Sequence, residues 1–226
     1  EFKTYNTFDG LVSNTIIGML LDSKDQLWVC HPHGISKFEA NGFKKYLTPE
    51  FQTNEGKLRR FFLWNDSICF VTLDGKWGSI YNDKLNPRWA ITNRTTLTVT
   101  PSQKSIVLAL DDSSLLIKEK HGTSIISHKK DFYSVRGVFD LKGQTIIESE
   151  RGFFTLDQNK QLRPIQVPFK NRFMKYDSVG NFYWTESNNN LIKEANHIAD
   201  TILKASTVYE VVQDMQGNWW FATNGA

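Results

Sequence analysis

A repeat with a period of nearly forty residues runs through the chain and constrains its fold more than any other feature. Each period has a marker in an apolar run that follows a short polar turn: Trp28, Cys69, Val107, Ile146, Tyr183 and Trp220. The successive spacings are 41, 38, 39, 37 and 37 residues. A fixed period of this length indicates one supersecondary unit per repeat. No stretch sustains the 3.6-residue apolar rhythm of a helical repeat, so the unit is made of strands.

The first period gives the strand order of the unit. Apolar or alternating runs at Ile16–Leu21, Leu27–Cys30, Ile35–Glu39 and Phe43–Leu47 are separated by polar turns. The last of these turns contains Asn41-Gly42, and Asn-Gly is a strong hairpin signal because both residues tolerate positive φ. Four consecutive strands of this kind form a β-meander. The sequence therefore predicts an all-β fold, a β-propeller of four-stranded antiparallel blades.

We expect residues 1–226 to form a single propeller region with about five complete blades. The predicted blades are 10–47, 58–92, 97–127, 135–167, 173–203 and an incomplete 208–226. Phe2–Tyr5 resembles a lone outer strand, which would add to the incomplete blade and cover its edge. Alternatively, the natural chain continues beyond Ala226 and this region is part of a larger propeller array.

Composition agrees with an all-β domain and argues against several other classes. Apolar residues make up 40% of the chain, enough for a substantial core, and the net charge of +3 is too small to predict a nucleic-acid partner. No run of eighteen apolar residues occurs, so membrane attachment would need segments outside this chain. Cys30 and Cys69 are offset by two residues on neighbouring blades, which favours two small buried apolar side chains over a disulfide.

Particular phrases carry a resemblance to a known family. D-G-L-V-S-N-T-I at 9–16, D-S-K-D-Q-L-W-V at 22–29 and H-G-I-S-K-F at 33–38 resemble the two-component regulator propeller repeat, and residues 209–225 resemble a cut copy of it. The resemblance implies the periplasmic sensor region of a hybrid two-component histidine kinase and response regulator. Such sensors detect oligosaccharides and control polysaccharide-utilisation genes. The resemblance also implies a homodimer formed through the full-length sensor, and no enzymatic activity in this chain.

The meander geometry predicts where a binding site would lie. Loops between the second and third strands share one face with the connectors between blades. The polar and aromatic residues that we place on this face as ligand-binding candidates are His31, His33, Arg59, Arg60, Lys76, Trp77, Arg136, Glu150, Arg151, Arg172, Trp184 and Asn188. Arginine forks and amides suit sugar hydroxyls, carboxylates or sulfates, and the Trp rings suit stacking on a pyranose. We expect no metal, because no other ligand-type residue matches the spacing of the two His residues. We also expect no catalytic residue and no cofactor, because the sequence has no nucleophile elbow, Gly-rich phosphate loop or Cys/His triad spacing.

Two other functions stay open at this point. A propeller glycosidase or lyase would act on the same substrates, and Glu148 with Glu150 form an acid pair of the type that glycoside hydrolysis requires. Asp22 to Asp25 followed by Trp28 resembles the aspartate box of sialidases, but the Gly and one residue of spacing are missing. A protein-interaction propeller would use the same face to bind a protein partner.

Overall fold

The computed structural model describes residues 3–53, 56–64, 67–81, 83–90, 96–101, 105–110, 114–119, 122–127, 135–141, 144–157, 159–166, 173–176, 182–185, 190–195, 198–203 and 208–223. Within these ranges the chain forms twenty-two β-strands, two short 3-10 helices at Thr7–Asp9 and Pro49–Gln52, and no α-helix. The chain divides into two compact units, Glu1–Leu47 with Pro168–Ala226 (unit one) and Thr48–Val167 (unit two).

The strands lie in six antiparallel sheets, which follow one another along the chain. Sheet one has β1 (Gly18–Leu21), β2 (Leu27–His31), β3 (Gly34–Glu39) and β4 (Gly42–Tyr46). Sheet two has β5 (Leu58–Trp64), β6 (Ser67–Thr72), β7 (Lys76–Tyr81) and β8 (Lys84–Ala90). Sheet three has β9 (Thr96–Pro101), β10 (Ser105–Leu110), β11 (Ser114–Glu119) and β12 (Gly122–Ser127).

The second half of the chain repeats this pattern. Sheet four has β13 (Val135–Leu141), β14 (Gln144–Ser149), β15 (Gly152–Leu156) and β16 (Leu162–Ile165). Sheet five has β17 (Phe173–Tyr176), β18 (Phe182–Thr185), β19 (Leu191–Ala195) and β20 (Ile198–Leu203). Sheet six pairs β21 (Val208–Gln213) with β22 (Trp219–Thr223). Sheets one to five are meanders in which each strand pairs with the next, which confirms the predicted strand order.

Unit two shows why the second strands read as continuous apolar runs. Successive side chains of a strand point to opposite faces of its sheet. Accordingly, Ile106 and Leu108 of β10 pack with Phe62 and Val71 of sheet two, whereas Val107, between them, packs with residues of sheet four. Both faces of sheet three are therefore buried between neighbouring sheets, and every residue of β10 from Ile106 to Leu110 is apolar.

Unit one is built in the same way from sheets five, six and one. Leu27 and Val29 of sheet one pack with Val212 and Ala222 of sheet six. Sheet six also packs against sheet five, through the cluster of Tyr183, Leu191, Val208 and Val211. Sheet six is thus covered on both faces, and the first and last sheets of the chain are direct neighbours within this unit.

First strands of neighbouring sheets lie side by side in each unit. In unit two β9 contacts both β5 and β13, and in unit one β21 contacts both β17 and β1. Five of the described first strands also carry a β-bulge, which inserts one additional residue into the register with the second strand: Arg59, Leu97, Arg136, Met174 and Tyr209. Bulges bend a strand, so these five first strands are bent near the same end, whereas β1 pairs with β2 without a bulge.

The structure agrees with the prediction for the two cysteines and differs from it for the N-terminal segment. Cys30 and Cys69 are buried, with 0% and 2% of their surface exposed, as expected for small apolar side chains. Lys3 to Asn6, in contrast, form no strand. The Tyr5 ring instead packs against Phe43 at 5.7 Å and Trp220 at 5.9 Å, between sheets one and six. The expected outer strand is therefore replaced, in the described part of the segment, by an aromatic contact.

Candidate functional site

The described candidates among the predicted binding residues lie towards one end of their sheets, which we call the turn face. It contains the bulged starts of the first strands and the turns between second and third strands. In unit two the described charged residues of this face are Arg59, Arg60, Asp74, Lys76, Glu150 and Arg151. Four of these six residues are cations, and guanidinium and ammonium groups form charge-assisted hydrogen bonds with anionic groups.

A threonine organises the turn between β6 and β7. Thr72 ends β6 and is 4% exposed. Its hydroxyl hydrogen-bonds the carboxylate of Asp74 and accepts the backbone N–H of Lys76 at 3.0 Å. Lys76 Nζ then lies 2.7 Å from Asp74 Oδ2. Burial raises the pKa of Asp74, but hydrogen bonds from Lys76 and Thr72 outweigh it and hold that pKa below its usual value.

A serine plays the same part in the turn between β14 and β15. Ser149 ends β14, and its hydroxyl accepts the backbone N–H of Arg151 at 3.1 Å and donates to the carbonyl of Gly152 at 3.1 Å. Gly152 has φ of 118°, a conformation that suits glycine. Glu150 and Arg151 are consequently held at the tip of the turn, where both are exposed.

Arg59 occupies the bulge of β5 and faces the turn between β6 and β7. Leu58 pairs with Thr72 and Arg60 pairs with Val71, so Arg59 is the additional residue between them. The Arg59 side chain is exposed, and that of Arg60 is half-buried. Although the side chain reaches solvent, neighbouring groups displace part of the water around its guanidinium, and this desolvation, followed by the charge of Arg60, lowers the pKa of Arg59 from its ordinary value. An anion bound near Arg59 would reduce the repulsion between these two charges.

His31 is placed differently from the other candidates. It ends β2 and is completely buried, with Nδ1 3.0 Å from the Thr15 carbonyl and Nε2 3.0 Å from Ser36 Oγ. Since a carbonyl only accepts, Nδ1 carries the proton and Nε2 accepts from the Ser36 hydroxyl. The Ser36 oxygen in turn accepts the backbone N–H of Val12 at 3.0 Å. Both ring nitrogens are used within the chain, so we leave His31 out of the proposed binding surface.

Some of the other predicted residues are described by the structure, and the rest are not. His33 lies in the turn after β2 and is partly exposed. Trp77 is half-buried and packs against the core of sheets two and three, with its ring 5.8 Å from that of Trp64, so only part of it can meet a ligand. Other candidates lie outside the described residues, either entirely (Arg172 and Asn188) or in their side chains (Arg136 and Trp184).

A search of the described residues for other kinds of site gives two results. No group of three or more His, Cys, Asp or Glu side chains in that part of the chain is placed to hold a metal ion. No helix among the same residues is long and apolar enough to cross a membrane.

The sequence analysis missed the residues that build the turn face. Thr72 and Ser149 each close a second strand and fix the turn that follows through a hydroxyl, whereas His31, which was predicted, closes its strand and bonds instead to Thr15 and Ser36. A signal was present, because each lies three residues after its repeat marker, Cys69, Ile146 or Trp28. The binding candidates Lys76 and Arg151 therefore lie in turns whose backbone is held by hydrogen bonds to the buried Thr72 and Ser149 hydroxyls.

Comparison with solved structures finds propellers of low sequence identity. The extracellular domain of a putative hybrid two-component system from B. thetaiotaomicron aligns over 92% of this chain and 37% of its own, at 10% identity and a TM-score of 0.66. Virginiamycin B lyase from Staphylococcus aureus aligns over 95% of this chain and 79% of its own, at 12% identity and a TM-score of 0.64. BBS1N, solved in complex with ARL6DN, aligns over 88% and 70%, at 11% identity and a TM-score of 0.58.

These likenesses establish the fold class. At such identities they show the fold alone, and they confirm the predicted β-propeller with four-stranded antiparallel blades. No family model and no curated protein matches the sequence. The chain spans little more than a third of the extracellular domain that it resembles.

Proposed function

We propose that this chain is a ligand-sensing propeller of a hybrid two-component signalling protein, located in the periplasm. The observation that carries the proposal is its likeness, over 92% of its length, to an extracellular domain of such a system. The repeat phrases at 9–16 and 22–29 support it independently, because they resemble the two-component regulator repeat. The proposed ligand is an oligosaccharide whose binding controls polysaccharide-utilisation genes, with signalling through a homodimer of the full-length sensor.

The turn face is the proposed binding surface. Arg59, Arg60 and Arg151 provide guanidinium forks on turns and bulges that are fixed by the Thr72 and Ser149 hydroxyls. Guanidinium forks bind carboxylate and sulfate groups with two parallel hydrogen bonds. Arg59, Arg60 and Arg151 therefore support an acidic or sulfated oligosaccharide as the proposed ligand. Arg136, Arg172, Trp184 and Asn188 extend the same proposal to the rest of the face.

Thermal unfolding with a panel of defined glycans tests this proposal. A ligand at a hundred times its Kd stabilises the folded state by about 2.7 kcal/mol, which gives a measurable rise in Tm. We expect an acidic or sulfated glycan to raise Tm and to be recovered intact.

Two variants then locate the site. Arg59→Ala together with Arg151→Ala should abolish the rise in Tm. Arg163→Ala is the matched control, because Arg163 lies in β16, away from the turn face, and pairs with Asp157 at 3.1 Å. If the double variant binds the glycan as tightly as the unchanged chain, the turn face of unit two is not the site.

A lyase or glycoside hydrolase is the second candidate function, and the likeness to virginiamycin B lyase favours it, because that protein aligns over 79% of its own length. The same incubations separate the two functions, since an enzyme would release new reducing ends or unsaturated products whereas a sensor returns the glycan unchanged. An interaction propeller, as the likeness to BBS1N suggests, would show no glycan-dependent change in Tm.

A further inference from the structure

A cavity opens in unit one at the end of the sheets opposite the turn face. It has a volume of about 380 Å³ and lies among the β1–β2, β3–β4 and β21–β22 turns. Half-buried Phe38 and Trp220 and buried Leu27 form its apolar wall. This volume lies within the range of small-molecule pockets, and we call the cavity the hairpin cleft.

The charge in the hairpin cleft has one sign. Asp25, Glu39 and Asp214 line it, and none of the lining residues that the structure describes is Lys, Arg or His. The Asp214 carboxylate forms hydrogen bonds within its own hairpin, because it accepts the Asn218 backbone N–H at 2.7 Å and the Trp220 indole N–H at 3.0 Å. An anionic ligand would meet repulsion from all three carboxylates.

The other two carboxylates face a ligand in different ways. Both oxygens of Asp25 accept the backbone N–H of Met215 at 2.9 Å, which ties the β1–β2 turn to the β21–β22 turn and fixes the width of the cleft. Each oxygen keeps a lone pair for a further donor. Glu39 ends β3 at the mouth of the cleft and is exposed, so its carboxylate is open to an approaching cation.

The residues that line the cleft define the chemistry that it accepts. Carboxylates bind an ammonium group through charge-assisted hydrogen bonds, and an indole face attracts a cation. An apolar wall beside them suits an alkyl stem. We propose that the hairpin cleft binds a primary alkylammonium group on an apolar stem, with Glu39 and Asp25 as its anionic partners and Trp220 as its aromatic wall.

The group has two natural sources, a lysine side chain of a protein partner and a free diamine or polyamine. Met215 stands at the tip of the β21–β22 turn with 76% of its surface exposed. A polypeptide carrying the lysine would cover this side chain, whereas a small diamine would leave it in water.

Calorimetric titration of the whole chain at low ionic strength tests the proposal with three isosteres. Cadaverine carries the ammonium group, 1,5-pentanediol is its neutral counterpart and glutarate its anionic one. We expect saturable binding of cadaverine that weakens as salt is added, and no saturation with the other two. Equal binding of pentanediol or glutarate, or no saturation with cadaverine, overturns the proposal. A lysine-containing peptide titrated in parallel identifies the source if it binds more tightly than cadaverine.

A pair of charge variants places the binding in the cleft. Glu39→Gln should weaken cadaverine binding about three- to fivefold, the loss expected for one exposed ion pair. Glu50→Gln, which removes an exposed carboxylate from unit two, should leave it unchanged. Circular dichroism confirms that both variants fold. If both variants weaken binding equally, or neither does, cadaverine does not bind at Glu39 and the proposal fails.

Discussion

Acidification from pH 6.5 to pH 4 should destabilise this protein through His31, with a contribution that a substitution can isolate. Burial lowers the pKa of His31 from 6.5 to about 4, against the opposing effect of hydrogen bonds to the Thr15 and Ser13 backbone. The unfolded chain binds a proton at this histidine below about pH 6.5, whereas the folded chain resists protonation until about pH 4. In this window the unfolded state holds more protons, so stability falls as the pH falls.

The size of the effect follows from the same shift. One pKa unit corresponds to about 1.36 kcal/mol, so a depression of this size is worth about 3 kcal/mol. The contribution of neutral His31 to the free energy of unfolding is fully present above pH 6.5 and is lost progressively between pH 6.5 and pH 4. Below pH 4 this residue causes no further loss. Because a domain of this kind has a total stability of about 5–15 kcal/mol, the loss would be measurable.

Urea unfolding at a series of pH values between 7.5 and 4 measures this loss of stability. We expect the free energy of unfolding of the unchanged chain to fall by about 3 kcal/mol more than that of His31→Gln, whose amide does not titrate. Hydrogen exchange of the Val12 amide, which bonds to Ser36 Oγ, reports the same network locally. His33→Gln is the control, since His33 makes none of the three hydrogen bonds of that network. Parallel pH curves for the unchanged chain and His31→Gln would refute the reasoning.

Other substitutions test the packing, each by its change in the free energy of unfolding in urea. Gly42→Ala should destabilise by about 1–3 kcal/mol, because φ is 131° and a Cβ would lie 2.5 Å from a carbonyl oxygen, whereas Gly122→Ala, with open space around it, should change little. Leu108→Ala removes a fully buried side chain between two sheets and should cost about 2–5 kcal/mol. Trp220→Phe deletes the indole hydrogen bond to Asp214 and should cost about 1 kcal/mol.

Strand positions were predictable because the repeat concentrates apolar residues where two sheet faces are buried. β10 illustrates this, since its run Ile106 to Leu110 packs on sheet two with one face and on sheet four with the other. An unbroken apolar run of that length has few alternatives in a chain without helical periodicity. The Tyr5 segment was not predictable in this way, because its alternation fits a strand equally well and only the neighbouring rings of Phe38, Phe43 and Trp220 decide its conformation.

The binding candidates were less predictable, because their environment depends on register rather than on residue type. His31 and His33 are identical in chemistry and two residues apart, yet the first is buried at the end of β2 and the second lies in the following turn. Arg59 faces the turn because a bulge in β5 inserts it between two residues that are paired with β6. A bulge arises from the pairing of two strands, so the local sequence around Arg59 does not predict it.

The two ends of the sheets use charged residues for different purposes. Turns at Asp22–Gln26, Asp157–Gln161 and Asp214–Asn218 share one structure, in which the Asp carboxylate accepts a backbone N–H of its own turn and the fourth residue has positive φ. In two of them a Trp indole, from Trp28 or Trp220, donates to the same carboxylate. Such carboxylates are consumed in closing hairpins, which argues against a catalytic role for the aspartate-box resemblance.

The turn face is built differently. There the two described turns of unit two, β6–β7 and β14–β15, are closed by uncharged hydroxyls, those of Thr72 and Ser149. These hydroxyls hold the backbone of the two turns at Lys76 and Arg151, and the proposed ligand contacts are made by the guanidinium groups of Arg59 and Arg151. Replacing them should change ligand affinity without unfolding the blade, whereas replacing Asp214 should loosen the hairpin that it closes. At the turn face, neutral hydroxyls close two described turns and the arginines lie beside them, which is why we place the glycan there.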